Sequence, residues 1–138
     1  MKKQISHVYK FHEAFGIANQ TAPKVEIDER IYHLRHRLMA EENDEYLEAA
    51  KAGNMVEVAD ALGDMLYILC GTILSHGMQD VIEDVFDEIQ RSNMSKLDAN
   101  GNPIYREDGK VLKSELYFRP NIAAVLNQQN ALNNIAAQ

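Results

Sequence analysis

Tryptophan is absent from this sequence, cysteine occurs once and proline three times. A single cysteine excludes an internal disulfide. Cys70, set beside Leu69, Gly71 and Ile73, reads as a buried thiol and fits a reducing, cytoplasmic setting. Basic residues are also scarce, with 14 Lys plus Arg against 21 Asp plus Glu and a net charge of −7. That balance excludes the basic footprint a nucleic-acid duplex demands. It leaves anionic small molecules open, because bound divalent cations would invert the local field. Long apolar runs are missing too. The longest uncharged one, MLYILCGTIL, falls short of the about 20 residues a bilayer span takes. The N-terminal MKKQISHVYKF carries lysines but no apolar core of a secretory signal. The expectation is a cytoplasmic protein with no membrane partner.

What is present is helical periodicity. The chain of 138 residues makes one domain, and five helical segments can be read along it. The first runs from about Ser6 to Gly16, with Val8, Phe11 and Phe15 at helical spacing. The second runs from about Asp28 to Ala52 and stops at Gly53, a suitable residue just past a helix end. The third opens with Asn54-x-x-Glu57, the pattern of a capping box, and ends near His76–Gly77. The fourth spans about Gln79 to Lys96. Beyond it, residues 98–119 carry the turn pairs Asn100–Gly101 and Asp108–Gly109 and read as a short hairpin or lid. Asn121 is placed to cap a last helix bearing Ile122, Val125 and Leu126. The expected fold is an all-α bundle of four to five helices over residues 1–126, followed by a polar tail at 127–138.

Acids are abundant, and their placement is informative. On the second helix Ile31, Leu34 and Leu38 define an apolar stripe. Continuing it by steps of three and four reaches Glu41, Glu42 and Glu45, then Ala49 and Ala52, all within an arc of roughly 100°. The acids thus take core positions along the core's own face, whereas Asp44 and Glu48 lie at its edge and read as solvated. The third helix has an apolar face of Met55, Val58, Leu62, Leu66, Leu69 and Ile73. On another face it carries Glu57, Asp60 and Asp64, which continue as uncharged Ile68, Gly71 and Ser75. Glu57 reads equally well as the third residue of a capping box. Acids converging from two helices repel, and a buried carboxylate is costly unless paired or bound to metal. A hard cation answers that cost, since Mg²⁺ takes carboxylate oxygens, waters and substrate phosphates. Other schemes fit worse. A di-iron bundle wants two Glu-x-x-His units, and the sequence has none. His33 and His36 lack a cysteine pair for structural zinc. His7, His12 and His76 read as ordinary interior or surface histidines.

The run Glu41-Glu42-Asn43-Asp44-Glu45 followed by VADALGDMLYILCG resembles the MazG-like, all-α nucleoside triphosphate pyrophosphohydrolases. That superfamily also includes phosphoribosyl-ATP pyrophosphatase. Its hallmark is Glu-x-x-Glu on one helix and Glu-x-x-Asp on the next, together holding Mg²⁺. Glu42-x-x-Glu45 supplies the first half. For the second, Glu57-x-x-Asp60 has the right letters, but the LGDMLY context aligns Asp64 with the family aspartate and leaves Ala61 at its glutamate. The resemblance therefore implies metal ligands among Glu42, Glu45, Glu57, Asp60 and Asp64, with Mn²⁺ as a substitute for Mg²⁺. It implies Glu41, Glu42 and Glu45 as catalytic residues. Asn93 and Lys96 resemble the family's phosphate-serving element, with Lys110 and Lys113 of the hairpin as further phosphate contacts.

The implied reaction is Mg²⁺-dependent hydrolysis of a nucleoside triphosphate to monophosphate and pyrophosphate in a homodimer or homotetramer. Two alternatives stand beside it. One is phosphoribosyl-ATP hydrolysis for histidine synthesis. The other, favoured by Ala61, is a catalytically silent helical interaction module.

Overall fold

The computed structural model describes residues 1–128, which are helical and turn structure with no β-strand. The all-α expectation holds. The helices are α1 (Lys2–Ala14), α2 (Glu29–Ala52), α3 (Met55–Ser75) and α4 (Ile82–Met94). A fifth helical run occupies 122–128. The chain divides into two compact units, Met1–Asp80 and Val81 onward. Of the polar tail expected from 127, only its first two residues are described.

In the first unit α3 packs against both α1 and α2. α2 runs 24 residues because no glycine or proline interrupts it. Asp28 starts it by accepting the Arg30 N–H at 2.9 Å, and Arg30 bonding holds the Asp28 carboxyl at about 2. Gly53, at φ 66°, ends it in the left-handed conformation. Asn54 then caps α3, its Oδ1 accepting from Val56 N at 3.1 Å and Glu57 N at 3.4 Å. The buried residues of α3 are Ala61, Cys70, Gly71, Ile73, Leu74 and Ser75. By length and mean hydropathy, 21 residues at 1.4, α3 would suffice to cross a bilayer. The core helix of a globular domain meets the same two criteria. Here its C-terminal half forms the core of the first unit, with Cys70 and Leu74 at most 1% exposed.

The linker 17–27 docks on the end of α3. Gln20 N donates to Leu74 O and Lys24 N to His76 O, both at 3.0 Å, and His76 Nδ1 reaches Lys24 O at 2.9 Å. Gly77 makes this possible. Its φ of 67° is left-handed, and any Cβ there would collide with the Ala22 carbonyl.

Three sequence expectations need correction. α1 begins near the N-terminus, so its buried line is Ile5, Val8 and His12, while Phe11 and Phe15 are exposed and stack at 4.3 Å. On α2, Leu34 is exposed and Arg35 is half-buried instead. On α3, Met55, Leu62, Leu66 and Leu69 are exposed rather than core. A helix apolar on most sides cannot turn every side toward two neighbours, and the surplus faces outward.

In the second unit α4 starts at Ile82 rather than Gln79, because residues 79–81 form a turn. The segment after α4 folds back onto it. Ser92 Oγ donates to Phe118 O at 2.8 Å, Ser114 Oγ to Ser95 O at 3.0 Å, and Arg91 lies over the Phe118 ring at 4.4 Å. The expected hairpin is present in reduced form. Its antiparallel contact is an isolated bridge, Tyr105 with Val111, flanked by Arg106 N to Lys110 O and Leu112 N to Ile104 O. Asn121 caps the last helical run through Ala124 N at 3.1 Å.

Candidate active site

The acids of α2 separate by burial. Glu42 is half-buried, whereas Glu41, Asp44, Glu45 and Glu48 are exposed. Glu41 approaches Arg37 at 3.9 Å, which draws it toward the flank. Glu48 is paired with Lys51 at 3.0 Å. Glu45, Glu48, Asn54 and Glu57 line an open cleft of about 490 Å³ where α2 ends and α3 begins.

On α3 the capping-box reading of Glu57 is only half realised. Asn54 caps Glu57 N, but the Asn54 N–H goes to Ala49 O at 3.0 Å. That donor is not left for the Glu57 carboxylate, which is exposed in the cleft. Ala61 is 3% exposed and fills core space. Position 61 therefore serves packing in this chain, and the α3 charges that act on Glu42 are those of Asp64 and Asp60.

Glu42 is where these groups meet. Its Oε2 is buried with no hydrogen-bond partner. Desolvation pushes its pKa up, and Glu45, Asp64, Asp60 and Glu41 push the same way, in that order. One carboxylate thus feels acids from two helices at once, while Glu57 is not among the charges that raise it. Among the described residues, however, no three His, Cys, Asp or Glu side chains are gathered closely enough to hold a metal ion. The carboxylates form a loose arc around Glu42, as mutual repulsion and solvent access at Glu41, Glu45, Asp60 and Asp64 would dictate. The donor chemistry suits a hard divalent cation, and an unpartnered buried carboxylate oxygen is the feature such an ion would satisfy.

The residues expected to serve phosphates belong to the second unit. Lys96 Nζ donates to Asn93 Oδ1 at 2.8 Å, so these two side chains are joined at the end of α4. Lys110 is exposed in the hairpin, and Lys113 lies over the Tyr117 ring at 4.3 Å.

Sequence reasoning missed a polar cluster in the first unit. Arg35 Nε donates to Ser75 Oγ at 3.3 Å, and Arg35 Nη2 meets His12 Nε2 at 3.2 Å. His12 Nδ1 in turn meets Asn19 Oδ1 at 2.5 Å. The available signal was spacing: Arg35 stands seven residues before Glu42, hence on the same face of α2, and Gly71 stands seven after Asp64 on α3.

A search of curated proteins finds no match to the chain. The family profile of phosphoribosyl-ATP pyrophosphohydrolase matches residues 8–93, well over half the chain. The matched span contains α2 and α3 entire, and with them every acid around Glu42. Members of this family are pyrophosphohydrolases that cleave phosphoanhydride bonds, so the silent interaction module is set aside. The chain belongs to the phosphoribosyl-ATP pyrophosphohydrolase family, within the MazG-like all-α nucleoside triphosphate pyrophosphohydrolase superfamily.

Proposed function

We propose that the chain is a Mg²⁺-dependent pyrophosphohydrolase that splits a nucleoside triphosphate into nucleoside monophosphate and pyrophosphate. The observation that carries this reading is Glu42, a carboxylate with an orphaned buried oxygen and four acids from α2 and α3 acting on it. We assign the cation to Glu42, Glu45, Asp60 and Asp64 on their donor chemistry, with Mn²⁺ as substitute, and they would have to draw closer together to hold it. Bound there, the ion would supply charge neutralisation for the phosphates and a lowered pKa for a water. Glu41 and Glu57 stand at the flank and in the cleft, where each can accept a proton from water. Asn93 and Lys96, with Lys110 and Lys113, are the groups we assign to the phosphates, since catalysis of this kind is chiefly positioning and electrostatics.

The family match favours a second reading of the substrate, phosphoribosyl-ATP, in which the same bond is cleaved on a nucleotide with a modified base. The exposed apolar row Leu62, Leu66 and Leu69 on α3 supports assembly as a homodimer or homotetramer. The acidic balance and the lone buried thiol support a cytoplasmic enzyme with no duplex partner. A panel of ordinary triphosphates and phosphoribosyl-ATP, incubated with Mg²⁺ and scored for pyrophosphate, tests these readings. Turnover of phosphoribosyl-ATP about a hundredfold above every ordinary triphosphate, a difference of about 2.7 kcal/mol, would select the second. Release of no pyrophosphate from any of them would overturn both.

A further inference from the structure

The cluster around Arg35 has a geometry that depends on one proton. Arg35 can only donate hydrogen bonds, so the His12 Nε2 that it meets at 3.2 Å must accept. The imidazole proton then lies on Nδ1, where it is donated to Asn19 Oδ1 at 2.5 Å. His12 is 1% exposed, so no water can replace either partner cheaply. Three elements are tied at this point: α1 through His12, α2 through Arg35, and α3 through Ser75, whose Oγ accepts from Arg35 Nε and donates to Gly71 O. The fit is close. A Cβ on Gly71 would stand 2.9 Å from Arg35 Nη1 and 3.2 Å from His12 Nε2, so the guanidinium occupies the space that glycine leaves.

The cluster shares its seam with the acids. Arg35 and Glu42 lie on one face of α2, separated by about 10 Å of helix rise, as do Gly71 and Asp64 on α3. Whatever sets the gap between α2 and α3 at Arg35 therefore sets it two turns away, where the carboxylates face each other. Resting on the proposed pyrophosphohydrolase reading, we propose that His12, in its neutral Nδ1–H form, is a positioning residue. It latches Arg35 into the α2–α3 seam and so fixes the spacing of Glu42 against Asp60 and Asp64.

Protonating His12 replaces the Nε2 acceptor by a donor pointed at a guanidinium, which turns an attraction into a like-charge clash. Arg35 is the charged group that faces the ring; Ser75 and Gly71 from α3 and Asn19 from the linker are neutral. Burial, first of all, holds His12 below the ordinary imidazole value, the Asn19 bond opposes this, and Arg35 lowers it further. The latch is therefore closed at neutral pH and opens in acid.

The test pairs two measurements on the full chain. Nitrogen NMR of the imidazoles reads the His12 tautomer and its titration midpoint, and pyrophosphate release in Mg²⁺ is followed across the same pH range in the parent and in His12→Gln. Gln keeps a neutral acceptor toward Arg35 and cannot titrate. In the parent, activity should fall about tenfold per pH unit below the His12 midpoint, and in His12→Gln the acid limb should shift to lower pH, where only protonation of the carboxylates remains. An unchanged acid limb in His12→Gln would overturn the latch. So would a His12 signal with the proton on Nε2 at neutral pH, a result that needs no variant to fold. Absence of pyrophosphate from the parent at every pH is a different failure, that of the proposed reaction, and the NMR tautomer still decides the latch.

Discussion

Replacing Glu42 by Gln should make the metal-free protein more stable at neutral pH while removing its response to Mg²⁺. Glu42 Oε2 is buried without a partner, and burial together with Glu45, Asp64, Asp60 and Glu41 raises its pKa. The sign follows from linkage. Below the unfolded-state value both states hold the proton, and Glu42 costs nothing extra. As pH rises through the raised folded-state value, the native state must carry a charge that its surroundings disfavour, and stability falls. Gln removes that charge. An orphaned buried polar group costs about 1–3 kcal/mol, but this side chain is only half-buried. Solvent screening reduces the expected gain to about 0.5–1 kcal/mol, a rise in Tm of a few degrees for a domain of this size. Mg²⁺ at about a hundred times its dissociation constant should add about 2.7 kcal/mol to the parent and little to Glu42→Gln. Melts of both proteins, in chelator and in Mg²⁺ from pH 4 to 8, read every part of this. Curves that coincide at neutral pH in chelator, with an equal Mg²⁺ shift in both proteins, would refute the convergence of acids on Glu42.

Glu45→Gln and Asp64→Asn should each lower pyrophosphate release by about a hundredfold or more, whereas Glu48→Gln, already paired with Lys51, should stay within about twofold; steady-state assays compare them. Gly77→Ala should destabilise by about 2 kcal/mol or more, because its φ is left-handed and its Cβ would strike Ala22. Gly63→Ala, helical with nothing within 4 Å of the new methyl, should stabilise by about 0.5–1 kcal/mol; urea titrations separate the two glycines. Light scattering should report a mass above 15.7 kDa, and Leu66→Glu, in the exposed α3 row, should lower it toward the monomer.

Helix existence was legible where local chemistry acts alone. Asp28, Gly53, Asn54 and Asn121 mark ends by side-chain or left-handed caps, and each sits where the pattern placed it. The ends of α1 and α4 were not legible, because neither has a side-chain cap at its start and Gln79 spends its amide on Gln20 O. Periodicity found the right helices but not which apolar face is used. Leu34, Leu62 and Leu66 have the right spacing for a core and stay exposed, because a helix with more apolar surface than neighbours must leave some uncovered. The grouping of Glu42 with Asp60 and Asp64 could be read from arcs. The filling of position 61 by buried Ala61 could not, since that depends on how α3 is rotated against its neighbours. Arg35 escaped because a cation on a core stripe reads as surface until its partners, His12 and Ser75, are brought in from 23 and 40 residues away.

The most direct test of the central claim is phosphorus NMR of one nucleoside triphosphate digest in Mg²⁺, run in parallel with the parent and with Glu42→Gln. The parent should give monophosphate and pyrophosphate with no diphosphate at any time, and Glu42→Gln should convert almost nothing. Diphosphate and free phosphate as products, or a Glu42→Gln protein as active as the parent, would contradict that claim.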